Sequence, residues 1–262
     1  METASLQIPA EHEVTMPFQR VIGAYLAEIR SECLRYLRAP GFMLPVILFP
    51  TVFYLMFGVL MNGGHPHAAR YLLGSYTVFG VMAPGLFGFG VSLAIERDQG
   101  LLMLKRALPM PPGAYLLGKM VMAMLTAGII VALMLVLGLT AGGVTLAPAR
   151  IFAFLALGVF GVLPFCALGM LVGTLIKGQG APGLLNLVYL PMAFLSGLWF
   201  PLSVMPGWLA TTAPVWPSYH LNAIAQHVVG LSTAPVTGHV LVLAGVAAGC
   251  FALAAARLRR RG

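Results

Sequence analysis

Polar and apolar positions in this chain fall into long blocks rather than a fine alternation. Six stretches are apolar for roughly the 20 residues that a helix needs to cross a bilayer: 42–61, 71–95, 113–139, 151–176, 181–199 and 236–256. Each is predicted as a spanning helix. Ahead of them, Ile22, Tyr25, Leu26, Ile29, Cys33, Tyr36 and Leu37 recur at helical spacing, with Arg20, Glu28, Arg30, Arg35 and Arg38 on or beside the other face. That pattern predicts an amphipathic helix over 18–38, lying in the headgroup plane with its bases toward lipid phosphate. A helix packed on another protein is the alternative. Residues 1–17 are polar, acidic and without periodicity, and read as a mobile tail. The segment 200–235 is broken by Pro201, Pro206, Pro214, Pro217 and Pro235, holds no formal charge, and carries Phe200, Trp208, Trp216 and Tyr219. Two short pieces there, 203–212 and 218–230, predict a re-entrant or surface-lying hairpin at the outer leaflet. It serves either as a lid over an exit or as an aromatic anchor.

Composition sharpens this picture. Hydrophobic residues make up 60% of the chain, charged residues 8%, and the mean hydropathy is +0.93; soluble domains carry about 25% charge. A polytopic all-α membrane protein is the class left standing. The N-terminal region lacks a basic stretch followed by an apolar core and a small-residue cleavage site, so no cleaved signal is expected. Six spans put both termini on one side. With the termini inside, Arg20, Arg30, Arg35, Arg38, Arg97, Lys105, Arg106, Lys119, Lys177, Arg257, Arg259, Arg260 and Arg261 are cytoplasmic, and only Arg70 and Arg150 lie outside. The 257–262 tail is a basic cytoplasmic end. Positive charge of this distribution sets orientation and meets anionic lipid; it does not point to nucleic acid.

One charged island interrupts the apolar blocks, from Glu96 to Lys119, reading ERDQGLLMLKRALPMPPGAYLLGK. Ionised groups cost a few kcal/mol each in hydrocarbon, so the island is placed outside the membrane, as an elbow between spans two and three. Its end spells Gly113-Ala-Tyr-Leu-Leu-Gly118-Lys119, the opening of a phosphate-binding loop, but Met120 stands where a Ser or Thr would reach magnesium. No carboxylate follows Asp98, so the chain has nothing with which to hold that metal or orient a water. It is not expected to hydrolyse nucleotide itself.

All seven carboxylates lie at or before Asp98 and none falls within an expected span, which argues against ion-coupled transport and against paired-carboxylate hydrolysis. His65 and His67 share an outer loop; they, with His220, His227 and His239, read as solvated loop histidines rather than metal ligands. Cys33, Cys166 and Cys250 are scattered, and the latter two read as buried thiols. Pro45, Pro50, Pro84 and Pro164 predict kinks, static or gating. Gly169/Gly173 and Gly245/Gly249 are small-residue pairs that allow close helix approach, within the chain or across a dimer.

The elbow and the outer hairpin together resemble the membrane subunit of ABC-2 type transporters, the permeases of bacterial exporters of the daunorubicin and nodulation-factor kind. The matching residues in the elbow are Glu96-Arg97-Asp98, Gly100, Leu101 to Ala107 with Lys105 and Arg106, Pro109, and Gly118-Lys119. In the hairpin they are Ser196 to Pro201, Met205-Pro206-Gly207-Trp208, and Pro217 to Leu221 with His220. Leu101-Leu102-Met103 departs from the family, where Thr and a charged residue are common. The resemblance implies a six-span permease without cofactor in the bacterial cytoplasmic membrane, dimeric with a second copy or a paralogue. It implies two separate ATPase subunits that carry ATP and magnesium. The helix 98–107 would be the coupling helix, and the cargo an amphipathic, drug-like or lipid-linked molecule. The alternative is an ATP-independent secondary carrier or flippase.

Overall fold

The structure, a computed structural model, describes residues 17–107 and 110–261. Residues 1–16 of the expected 1–17 tail, and Pro109, lie outside the described residues. Among the described residues every regular element is helical. In order they are α1 (Phe18–Leu37), α2 (Pro40–Phe53), α3 (Pro66–Ala83), α4 (Ser92–Asp98), α5 (Leu101–Ala107), α6 (Pro112–Thr140), α7 (Pro148–Gly161), α8 (Leu163–Leu175), α9 (Ala181–Leu195), α10 (Gly207–Thr212), α11 (Pro217–Val228) and α12 (Thr237–Arg261).

Among the described residues five continuous helical units are long and apolar enough to cross a membrane: Pro40–Leu60, Pro66–Asp98, Gly113–Thr140, Pro148–Leu175 and Thr237–Arg259. Two of them change pitch midway. Wider π-type turns over Tyr54–Leu60 extend α2, and a second set over Pro84–Val91 joins α3 to α4. The second set starts at a proline, which offers no N–H to the α-helical ladder. Pro164 follows the break at Val162 that divides α7 from α8.

The fifth expected span differs. The apolar run 181–199 becomes a helix of 15 residues, Ala181–Leu195, because Ser196-Gly197 ends it. At 1.5 Å per residue that is about 22 Å, short of a hydrocarbon core of about 30 Å. Its placement is nonetheless fixed at three levels. Asp98 Oδ2 accepts the Gly178 N–H (2.6 Å), Tyr189 donates to the Phe79 carbonyl (2.9 Å), and Tyr71 donates to the Gly197 carbonyl (2.7 Å). With its flanking turns, α9 therefore runs antiparallel along the whole of α3–α4.

The Pro66–Asp98 unit is the centre of the bundle. Its most apolar window is 83% buried, against 22% for Pro40–Leu60 and 11% for Thr237–Arg259, whose apolar faces are turned outward. Close approach to the centre is made by small residues. A Cβ on Gly173 would sit 2.6 Å from the Gly90 carbonyl oxygen, and one on Gly90 would sit 2.7 Å from that of Gly169. The Gly169/Gly173 pair thus packs within the chain. Gly245 and Gly249 face open space among the described residues.

Both described chain ends lie at the elbow end of the bundle. There α1 packs along the start of α6, and Arg257 of α12 donates to the Thr174 carbonyl at the foot of α8 (3.4 Å). Arg70 marks the opposite end, where it reaches the Thr145 carbonyl (3.3 Å).

Candidate functional site

The elbow is more deeply built into the protein than its charge predicts. Gly100 takes φ +72°, a left-handed turn that lets α5 fold back after α4. On the far side α6 begins at Pro112, so Gly113 to Lys119 is a continuous helix and not a phosphate loop. Glu96 and Lys119, placed by sequence in a solvated turn, are instead buried inside the ends of the second and third spanning units. Proximity to water is replaced by ion pairing.

The partners come from α1. Lys119, fully buried, lies 3.2 Å from Glu32 and 2.9 Å from Glu96, and donates to Ser92 Oγ at 2.8 Å. Arg35 pairs with both Glu96 and Glu32, and Lys105 of α5 pairs with Glu28 and Glu32. Tyr115 donates its phenol to Glu96 Oε2 (2.6 Å), with the Lys105 ammonium 4.3 Å and that of Lys119 4.9 Å from its ring centre. Among the described residues three carboxylates (Glu28, Glu32, Glu96) face three cations (Arg35, Lys105, Lys119) in this network, with Glu32, Glu96 and Lys119 buried and Arg35 about half exposed. Burial works against the charge of Arg35, but Glu96 and Glu32 outweigh it and lift its pKa above the ordinary value.

Helix α1 is thus turned differently from the expectation. Arg35 pairs with carboxylates rather than lipid phosphate, and Glu28 and Glu32 point into the bundle. The outward face carries Phe18, Ile22, Leu26 and Leu37. Gly118 makes the approach possible, since a Cβ there would lie 3.2 Å from Glu28 Cγ and 3.3 Å from that of Glu32. The sequence held a signal for this. Two glutamates one turn apart repel on an isolated helix, so they call for a cation across from them.

Arg97 and Asp98 brace the connection between α8 and α9. Arg97 donates to the carbonyls of Gly173 (3.1 Å) and Ile176 (2.6 Å), satisfying the otherwise open end of α8, while Asp98 receives the N–H of Gly178. Apolar side chains stand outward on α5: Met103 is 73% exposed and Leu104 64%, with Leu101 beside them. Arg106 lies on the same short helix.

At the opposite end, the stretch expected to form a re-entrant or surface-lying hairpin holds α10 and α11. Pro206 precedes α10, which exposes Trp208; Trp216 precedes α11, and Pro217 occupies its first turn, where a missing N–H is harmless. His220 is not a solvated loop histidine. It is buried, with Nε2 2.9 Å from the Pro214 carbonyl and Nδ1 2.8 Å from His239 Nδ1. Phe200 and Pro201 line a cavity of about 720 Å³ between this segment and the ends of α2 and α3 that lie away from the elbow. Among the described residues no group of three or more His, Cys, Asp or Glu could hold a metal, and all three cysteines are free, Cys166 buried and Cys250 half-buried.

The chain is 31% identical over 220 residues to "Putative transport permease YvfS" of Bacillus subtilis (strain 168), an alignment covering 81% of this chain and 88% of that one. The family model described as ABC-2 type transporter matches residues 24–229, from the middle of α1 through α11. That stretch holds the ionic joint, α5, α10 and α11, and the chain belongs to the ABC-2 type transporter family.

Proposed function

We propose that this chain is the membrane half of an ATP-driven exporter, seated by α5 in a groove of a separate ATPase subunit. ABC-2 permeases are membrane transport components that work with an ATPase partner and are not ATPases themselves. The observation that carries the reading is the pairing of an outward apolar surface with an inward ionic one on a single seven-residue helix. Met103 and Leu104 beyond the end of a membrane bundle would face water unless a partner covers them. On its inner side, Lys105 ties α5 to α1, and through Glu32 to Lys119 of α6 and Glu96 of α4. A push on α5 is therefore delivered to several helices at once.

The elbow end is taken as cytoplasmic, in the bacterial inner membrane, because Arg97, Lys105, Lys119, Lys177 and Arg257 gather there while Arg70 and Arg150 lie opposite. In this reading α9 is a sixth, shortened crossing, supported by its ties to both ends of α3–α4. Helix α1 lies at the interface with its Phe18-Ile22-Leu26 face toward lipid, and α10–α11 dip into the outer leaflet. Two permeases, identical or paralogous, would pair through the outward faces of the poorly buried units, with two ATPase subunits supplying ATP and magnesium. The cargo is an amphipathic molecule moved outward.

The double variant Met103→Asp/Leu104→Asp tests the docking. It should fold with unchanged thermal stability yet lose capture of the cognate ATPase and transport-linked ATP hydrolysis. Undiminished capture would overturn the role assigned to α5.

A further inference from the structure

Helix α11 is tied by polar contacts to three neighbours. Its Gln226 amide donates to the Tyr71 carbonyl (3.1 Å) and Ser75 Oγ (3.0 Å) of α3, and Ser218 donates to the Met192 carbonyl of α9 (3.2 Å). To α12 it is joined by the ring pair His220–His239. Of these ties only the last holds groups that change charge between pH 5 and 8.

The protons of the pair follow from its partners. Pro214 offers a carbonyl, which only accepts, so His220 Nε2 carries the hydrogen of their 2.9 Å contact. In the neutral ring Nδ1 is then a lone-pair acceptor, and His239 Nδ1–H is the donor across 2.8 Å. One proton can be added without loss. It goes to Nε2 of the partly exposed His239, and a charged ring donates more strongly. A second proton has only His220 Nδ1 to occupy. There it sets N–H against N–H, and leaves two cations with ring centres 5.1 Å apart, one of them buried away from screening water.

The surroundings supply no counter-charge. Positions 178–256, which include α9, α10, α11 and most of α12, hold no Asp, Glu, Lys or Arg. Tyr219 stands edge-on to both rings, 5.3 and 5.9 Å between centres. His227 lies two turns further along α11, and Arg150 of α7 rests against Gly230 beyond its end. From α3, Tyr71 is engaged with the Gly197 carbonyl and Arg70 with that of Thr145. The described carboxylates, Glu28, Glu32, Glu96 and Asp98, all sit at the elbow end.

We propose that His220 and His239 form an acid-released latch, which ties the start of α12 to α11 while His220 is neutral and opens when both rings are charged. The release acts on the least embedded of the five long units, whose apolar window is 11% buried and whose other end is anchored by Arg257. Acid thus frees the start of α12 while α11 stays bound to α3 and α9. An exporter so built loosens its exit side in an acidic outside medium. That this end meets the outside medium rests on the permease reading; the response of the isolated chain to acid does not.

The test uses purified full-length permease in lipid nanodiscs, without ATPase. It is pulsed with deuterium at about pH 7.5 and about pH 5, with exposure times scaled to the intrinsic amide rates, and its peptides are read by mass spectrometry. Protection over 213–245 should fall about tenfold at the acid pH, as for the loss of one hydrogen bond, with α3 and α6 unchanged. His239→Leu should show the low protection at both pH values. In His239→Asn an amide stands near the place of Nδ1. It donates through nitrogen to the neutral His220 and accepts through oxygen from the charged one, so protection should stay high at both. Unchanged protection of 213–245 in the unsubstituted chain would overturn the latch, as would an acid response that persists in His239→Asn. Loss spread equally over α3 and α6 would mean acid unfolding in place of release, and would overturn it too. None of these results bears on ATPase capture by α5, so the two readings fail separately.

Discussion

Replacing Lys119 with Met removes one cation from a joint in which three carboxylates face three. Methionine nearly matches the stem in volume, so the change is electrostatic more than steric. The buried Glu32 and Glu96 are then left with the partly exposed Arg35 and Lys105 as counter-charges, and Ser92 Oγ loses its donor. Removing one partner from a buried ion pair costs about 3–5 kcal/mol. At about 2–4 °C per kcal/mol for a chain of this size, the melting temperature should fall by roughly 10 °C. The double variant Lys119→Met/Glu96→Gln restores the balance, leaving Glu28 and Glu32 against Arg35 and Lys105. Its amide oxygen still accepts the Tyr115 phenol. Scanning fluorimetry on the detergent-solubilised permease should therefore show most of the loss recovered, with a coupling energy above about 2 kcal/mol from the cycle. Additive losses would refute the reasoning, since they would mean that Lys119 and Glu96 do not share a buried site.

Two further outcomes follow from backbone geometry. Gly173→Ala drives a methyl into the Gly90 carbonyl and should sharply lower thermal stability, whereas Gly249→Ala, with no atom within 4 Å, should leave the melting temperature of the isolated chain unchanged. Gly100→Ala has room for its methyl but must adopt φ +72°; it should cost about 1–2 kcal/mol, with Gly100→Asn losing less in the same melting assay.

Several features were legible before any coordinates. Apolar length alone located the five long helical units to within a few residues, because a spanning helix satisfies its backbone locally and its boundaries depend on nearby residues. The proline-broken stretch 200–235 read correctly as two short pieces, now α10 and α11, since proline spacing is itself a local constraint. The elbow was found for the same reason. Its chemistry was not: charge count places Glu96 and Lys119 in water, and the structure encloses both.

What hydropathy determined, then, is an all-helical membrane chain with one charged turn and a basic bias at that end. Tertiary structure alone decided which charges neutralise which. Lys119 meets Glu32 across 87 positions and Lys105 meets Glu28 across 77, through a helix whose periodicity predicted a surface on lipid headgroups or on another protein. It also decided that the Gln226 amide N–H donates to the Tyr71 carbonyl, 155 positions away. Pairings of this range depend on how helices cross, and crossing is set by close contacts such as Gly90 with Gly169 and Gly173, which no run of hydropathy along the chain encodes.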